Sequence, residues 1–161
     1  MRVLLSVGLA VLLVAACKKY ETSPDFESPN ATLQSLFRAY GVTKIPEAEI
    51  QRRLQARERF ELRDEALFRS CFSDWQGEHD QGLGGYVFGR LVAGKDHLLV
   101  EVDEGTARVR SAADAAEVEP VVLVQTDDGW KIDLRQSVPA ELRQQLYELY
   151  RRARRAERKA L

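Results

Sequence analysis

Apolar side chains recur along this chain with two different periods. From Ser28 to about Ser73 the spacing is helical. Leu33, Leu36, Phe37 and Tyr40 share one face of a helix that Ser28 can cap, with Pro29 at its first position and Gly41 as its stop. Pro46 and Glu47 announce a second helix running through the charged stretch to about Arg63, with Ile50 and Leu54 turned inward. Glu49–Arg53 and Arg57–Glu61 are its expected charge pairs, one turn apart. The stripe slips near Phe60. A break is therefore expected before a third helical piece, about Asp64 to Ser73, burying Leu67, Phe68, Cys71 and Phe72.

Past Gly82, Gly84 and Gly85, which should end the helical region, the period falls to two. Tyr86 to Val92 reads as a strand with Gly89 as a bulge or close approach. Leu98 to Asp103, Thr106 to Arg110, Val118 to Thr126 and Trp130 to Leu134 follow, joined by the turns Asp103-Glu104-Gly105 and Asp127-Asp128-Gly129. Lys131 and Asp133 alternate outward, as does Glu101. A last helix, about 138–160, carries Leu142, Leu146, Leu149, Tyr150 and Ala153 on one stripe. The pattern predicts an α+β fold: N-terminal helices packed on a curved antiparallel sheet of about five strands, plus a C-terminal amphipathic helix.

Ahead of the domain, Arg2 and an apolar run from Val3 to Val14 lead to Leu13-Val14-Ala15-Ala16-Cys17. Val3 to Ala16 supplies fourteen residues, short of the about 20 that span hydrocarbon. The string resembles the lipobox of bacterial lipoprotein signal peptides. That resemblance implies a cut before Cys17, a diacylglycerol on its thiol and an acylated amino terminus, with palmitate as the natural label. A plain secretory signal cut elsewhere is the alternative. Two or more acyl chains hold a protein on a membrane durably. Lys18, where an aspartate would favour the inner membrane, favours the outer membrane, with the domain in the periplasm or at the cell surface. Residues 17–27, with Pro24 and no apolar period, read as lipidated cysteine and flexible tether, and 28–161 as a single domain.

Loss of residues 1–16 leaves 145 of 161, enough for one domain with a core. A net charge of −1 gives no reason to expect nucleic acid. With Cys17 lipidated, Cys71 stands alone among apolar neighbours, a small buried hydrophobe rather than a disulfide partner or reactive thiol.

Helices followed by antiparallel strands, with a late hairpin Val121-Val122-Leu123-Val124-Gln125-Thr126-Asp127-Asp128-Gly129-Trp130-Lys131-Ile132-Asp133, resemble the nuclear transport factor 2-like superfamily over about Ser28 to Leu134. The resemblance implies a cone-shaped sheet closed by helices over a pocket. Catalytic members place an Asp, His or Tyr inside it, which makes Asp74, His79 and Tyr86 the candidates here. The basic final helix departs from that pattern.

The residues themselves point to little chemistry. His79 lies in a polar stretch and His97 in a turn, and the two histidines with one cysteine make no metal-ligand spacing. There is no nucleophile elbow, phosphate loop or dinucleotide fingerprint, and Gly82-Leu83-Gly84-Gly85 precedes an expected strand rather than a helix. No cofactor is implied. Arg151 to Lys159 carries six basic residues against one acid. Its charges suit a helix C-terminus, and Arg151, Arg152, Arg154 and Arg155 are the candidates for contact with anionic envelope groups.

Three readings follow. The first is a non-enzymatic lipoprotein, held at the membrane through Cys17, that binds a small apolar ligand or an envelope protein. The second is an isomerase- or hydrolase-type enzyme of the resembled superfamily. The third is an assembly module docking through its last helix. A cone filled by Trp75, Phe88 and Trp130 would leave no room for either pocket, and burial of Leu142, Leu146 and Leu149 would remove the docking stripe.

Overall fold

The computed structural model describes residues 23–114 and 116–160. The signal-like segment, Cys17 and the start of the tether lie outside the described residues. The packed chain begins upstream of Ser28. A single turn at Pro24–Phe26 buries Phe26, and Asp25 pairs with Arg38 at 2.7 Å.

Ser28 caps α1, Pro29–Ala39, accepting from Ala31 N at 3.1 Å, and Pro29 fills the first helical position. α2 runs Glu47–Gln55 rather than to Arg63. Glu49 pairs with Arg53 as expected, at 2.8 Å, and with Arg52 at 2.7 Å. The Arg57–Glu61 pair has no helix to support it, because Arg57 adopts φ 55° and the chain leaves the helix there. The reason is a local change of period: Phe60 and Leu62 are half-buried between exposed Arg59, Glu61 and Arg63, an alternation only extended chain can satisfy. Both Arg63 N and Asp64 N bond Ala39 O, tying this segment to the end of α1. Asp64 then caps α3, Glu65–Ser70.

The largest departure from the sequence reading is α4, Gln81–Val92. The glycines expected to break the helix lie inside it, and the expected strand Tyr86 to Val92 is its second half. Packing outweighs the about 1 kcal/mol that each helical glycine costs. A Cβ on Gly84 would overlap Phe68 Cζ and lie 2.9 Å from Phe72 Cζ, so the glycine lets α4 seat against the aromatic cluster. That cluster includes Tyr40 stacked on Phe88 at 3.7 Å, with Phe60, Phe68 and Trp75 edge-on to their neighbours.

The sheet has four antiparallel strands in the order β1-β2-β3-β4: β1 Leu98–Asp103, β2 Thr106–Ser111, β3 Val121–Thr126 and β4 Gly129–Ile132. Four rather than five follows from Tyr86 to Val92 being helical. Phe72 adds only a single parallel bridge to Ile132. Positive φ at Glu104 and Gly105 gives the first hairpin a tight two-residue turn, and Gly129 at φ 107° closes the last. The register puts Val100, Val109 and Val121 on one face with Ala107, Leu123 and Ile132. This face meets Phe37, Val87, Phe88 and Leu91 in one core. Full burial of Phe37 and Phe68 stabilises the fold by about 1.5–3 kcal/mol each.

The strand β4 stops before Leu134. Asp133 caps α5, Leu134–Ser137, accepting from Gln136 N, and Ser137 Oγ bonds both the N–H and the carbonyl of Val122. Lys131, expected outward into solvent, is buried under Phe26: its Nζ donates to Ser70 O at 2.6 Å and sits 3.1 Å from the Phe26 ring centre. The last helix, α6, spans Ala140–Lys159.

Candidate functional site

The densest polar cluster joins three elements remote in sequence. Asp80 closes the single turn Glu78–Asp80 before α4 and is fully buried. A lone carboxylate there would be costly, so its oxygens need donors. They have them. Tyr147 Oη of α6 donates to Oδ1 at 2.9 Å, Gln76 N to Oδ2 at 2.8 Å, and Arg135 Nη2 of α5 reaches Oδ1 at 3.3 Å. Arg135 also donates to Asp74 O at 2.5 Å and Gln76 Oε1 at 2.9 Å, and pairs with Asp74 Oδ2 at 3.1 Å. Burial first, then the Asp80 hydrogen bond, push the Tyr147 phenol above its usual range. The cluster fixes α6 to the body. Every strong acceptor and donor in it is engaged.

Two of the three sequence candidates fall in or beside this cluster. Asp74 accepts from Leu134 N at 2.9 Å and Arg135 N at 3.1 Å, so its carboxylate organises the start of α5. His79 lies with its ring edge-on to Tyr147 at 5.3 Å and Tyr150 at 6.4 Å, and its Nε2 is 3.7 Å from Asp80 Oδ1. Tyr86 sits apart, half-buried on α4. None of the three lies in a hollow over the sheet, the position that the superfamily resemblance implies. That face is occupied by Phe88, Leu91 and Trp130, with Trp75 packed against the same core. Sequence reasoning missed Asp80 and Arg135, which stand in polar stretches with no spacing that links them. The one usable signal was Tyr147, an aromatic beside the stripe of α6.

Other titratable groups have structural or solvent positions. Cys71 is fully buried, its thiol donating to Leu67 O at 3.3 Å, and burial pushes its pKa up to about 12. His97 is exposed and lies 3.0 Å from Glu47 Oε2. Glu101 is exposed on β1.

The helix α6 itself is the conspicuous surface. None of its 20 residues is buried. Leu142 and Leu146 pack partly on the core, whereas Leu149 is 58% exposed. From Arg151 to Ala160 every residue is exposed, with Ala153, Arg154 and Glu157 beside the open groove that Glu78 and Gln81 also line. Arg152 and Arg154 reach Glu148 and Glu157 at 3.9 and 3.1 Å. The groove between α6 and the turn before α4 is open and lined by His79, Gly82, Leu146, Leu149 and Tyr150 among others. A second open groove lies at the far end, between α2 and the turn after α4, with Glu47, Gln51 and His97.

Among the described residues no group of three or more His, Cys, Asp or Glu side chains is placed to hold a metal ion. Among them no helix is long and apolar enough to cross a membrane. No protein-family model, curated protein or solved structure matches this chain.

Proposed function

We propose that the chain is a membrane-anchored envelope lipoprotein whose domain is a non-enzymatic binding module presenting α6 to a partner. The observation that carries the reading is α6: its root is fixed where Tyr147 and Arg135 meet the buried Asp80, and its distal half is exposed throughout. A helix whose first half packs on the core and whose second half stays exposed is suited to contact something else. The lipobox-like Leu13-Val14-Ala15-Ala16-Cys17 supports export and acylation at Cys17. Lys18 supports the outer membrane.

Partner binding is favoured over a small apolar ligand and over an isomerase- or hydrolase-type activity by two observations. Core side chains fill the helix-facing side of the sheet, and Asp74 is committed to capping α5. Kinship with the nuclear transport factor 2-like superfamily, with its curved sheet, belongs to the same proposal. Helices that precede an antiparallel sheet and the hairpin closed by Gly129 support it.

The anchor is tested by metabolic palmitate labelling. Label on the wild-type chain, lost in Cys17→Ser with accumulation of an unprocessed precursor, is the expected result. Equal labelling of both chains overturns acylation at Cys17.

A further inference from the structure

We infer that an arginine stripe on α6 docks on the phosphate groups of an anionic phospholipid surface, which rests on the membrane-anchored reading above. Arg151, Arg154, Arg155 and Arg158 fall at i, i+3, i+4 and i+7, on one face of the helix. With Tyr150 they line one shallow groove. Leu142 and Arg151 are nine residues apart, as are Leu146 and Arg155. Nine residues are two and a half turns. Arg155 therefore lies opposite Leu146 on the helix, while Arg151 and Arg154 border the open grooves that His79 and Glu78 line. Arg154 is shared with Glu157, while among the described residues Arg151, Arg155 and Arg158 have no carboxylate at ion-pair distance.

Two features select phosphate on an extended surface. Five of the six basic residues at this tip are arginine, whose planar guanidinium makes paired hydrogen bonds to phosphate oxygens. The chain is also polarised: residues 1–150 carry 18 basic and 24 acidic side chains, the last eleven six and one. Such a field turns the tip toward an anionic surface and keeps the body off it. A lipid anchor makes that surface the one always within reach.

The test uses the full chain carrying Cys17→Ser, so that no acyl group contributes, with vesicles of phosphatidylcholine alone or mixed with phosphatidylglycerol. The apolar segment Val3 to Val14 adsorbs to both kinds, so the readout is the preference for anionic over neutral vesicles. A preference that weakens with salt, falls about tenfold or more in R151Q/R154Q/R155Q/R158Q, and survives in the matching Lys variant is expected. Loss of four exposed charges elsewhere, R57Q/R59Q/R63Q/R108Q, should leave it in place. Equal binding to both vesicle kinds overturns the inference, as does a preference lost equally in both Gln sets. Salt-sensitive self-association without vesicle preference assigns the stripe to a second copy and also overturns it. Palmitate labelling reads the anchor independently: an unlabelled wild-type chain that still prefers anionic vesicles removes the anchor and keeps the stripe.

Discussion

The Tyr147 hydroxyl on α6 donates to Asp80 Oδ1 at 2.9 Å, joining the C-terminal helix to the turn that opens α4. Because no residue of α6 is buried, apolar packing alone holds it weakly. The polar contact decides where its root sits.

Removing that contact should loosen α6 before it unfolds the domain. Tyr147→Phe is expected to cost about 1 kcal/mol, one hydrogen bond. Asp80→Ala should cost about 2–4 kcal/mol, since Arg135 and Tyr147 lose their shared acceptor. Urea unfolding gives the magnitudes, and faster amide exchange in α6 than in β3 would show the local effect.

Two glycines of α4 should respond oppositely to alanine. Gly84→Ala forces overlap with Phe68 and Phe72 and should destabilise by about 1–3 kcal/mol. Gly89 has nothing within 4 Å of a Cβ position and lies in helix, so Gly89→Ala should stabilise by about 0.5–1 kcal/mol. Thermal unfolding of both variants checks the pair. Were the segment a strand, this opposition would not arise.

Stability should fall at high pH. Burial raises Cys71 from 9.0 to about 12, and Tyr40 from 10.0 to about 12. Between those limits the unfolded chain releases protons that the native state keeps, so stability present below pH 9.0 is lost as pH rises toward about 12. Lys131 works against this. Burial lowers its pKa, so the unfolded chain holds the extra proton below 10.5 and stability gains as pH rises toward that value. In Cys71→Ala the decline should start nearer pH 10.0, where Tyr40 and Tyr147, both raised by burial, begin to act. Urea midpoints between about pH 8 and 11 check the sign.

Local signals in the chain located most of the elements. Ser28 with Pro29, Asp64, the Glu104-Gly105 turn and the Asp127-Asp128-Gly129 turn each act on neighbouring backbone, and each lies where sequence reasoning put it. What was not legible depended on contacts distant in sequence. Gly84 reads as a breaker until Phe68 and Phe72 are seen against it. Lys131 reads as solvated until Phe26, from a segment whose sequence reads as tether, covers it. Asp80 and Arg135 are 55 residues apart, and only the meeting of α4, α5 and α6 makes them a pair.

Amide hydrogen exchange across Arg151 to Lys159, compared for the full chain free and on its own envelope membrane, tests most directly the claim that α6 is the working surface of an anchored module. Rapid exchange in the free chain, slowed on the membrane while β2 and β3 exchange unchanged, is the predicted result. Equal exchange of this segment in both states would contradict the account.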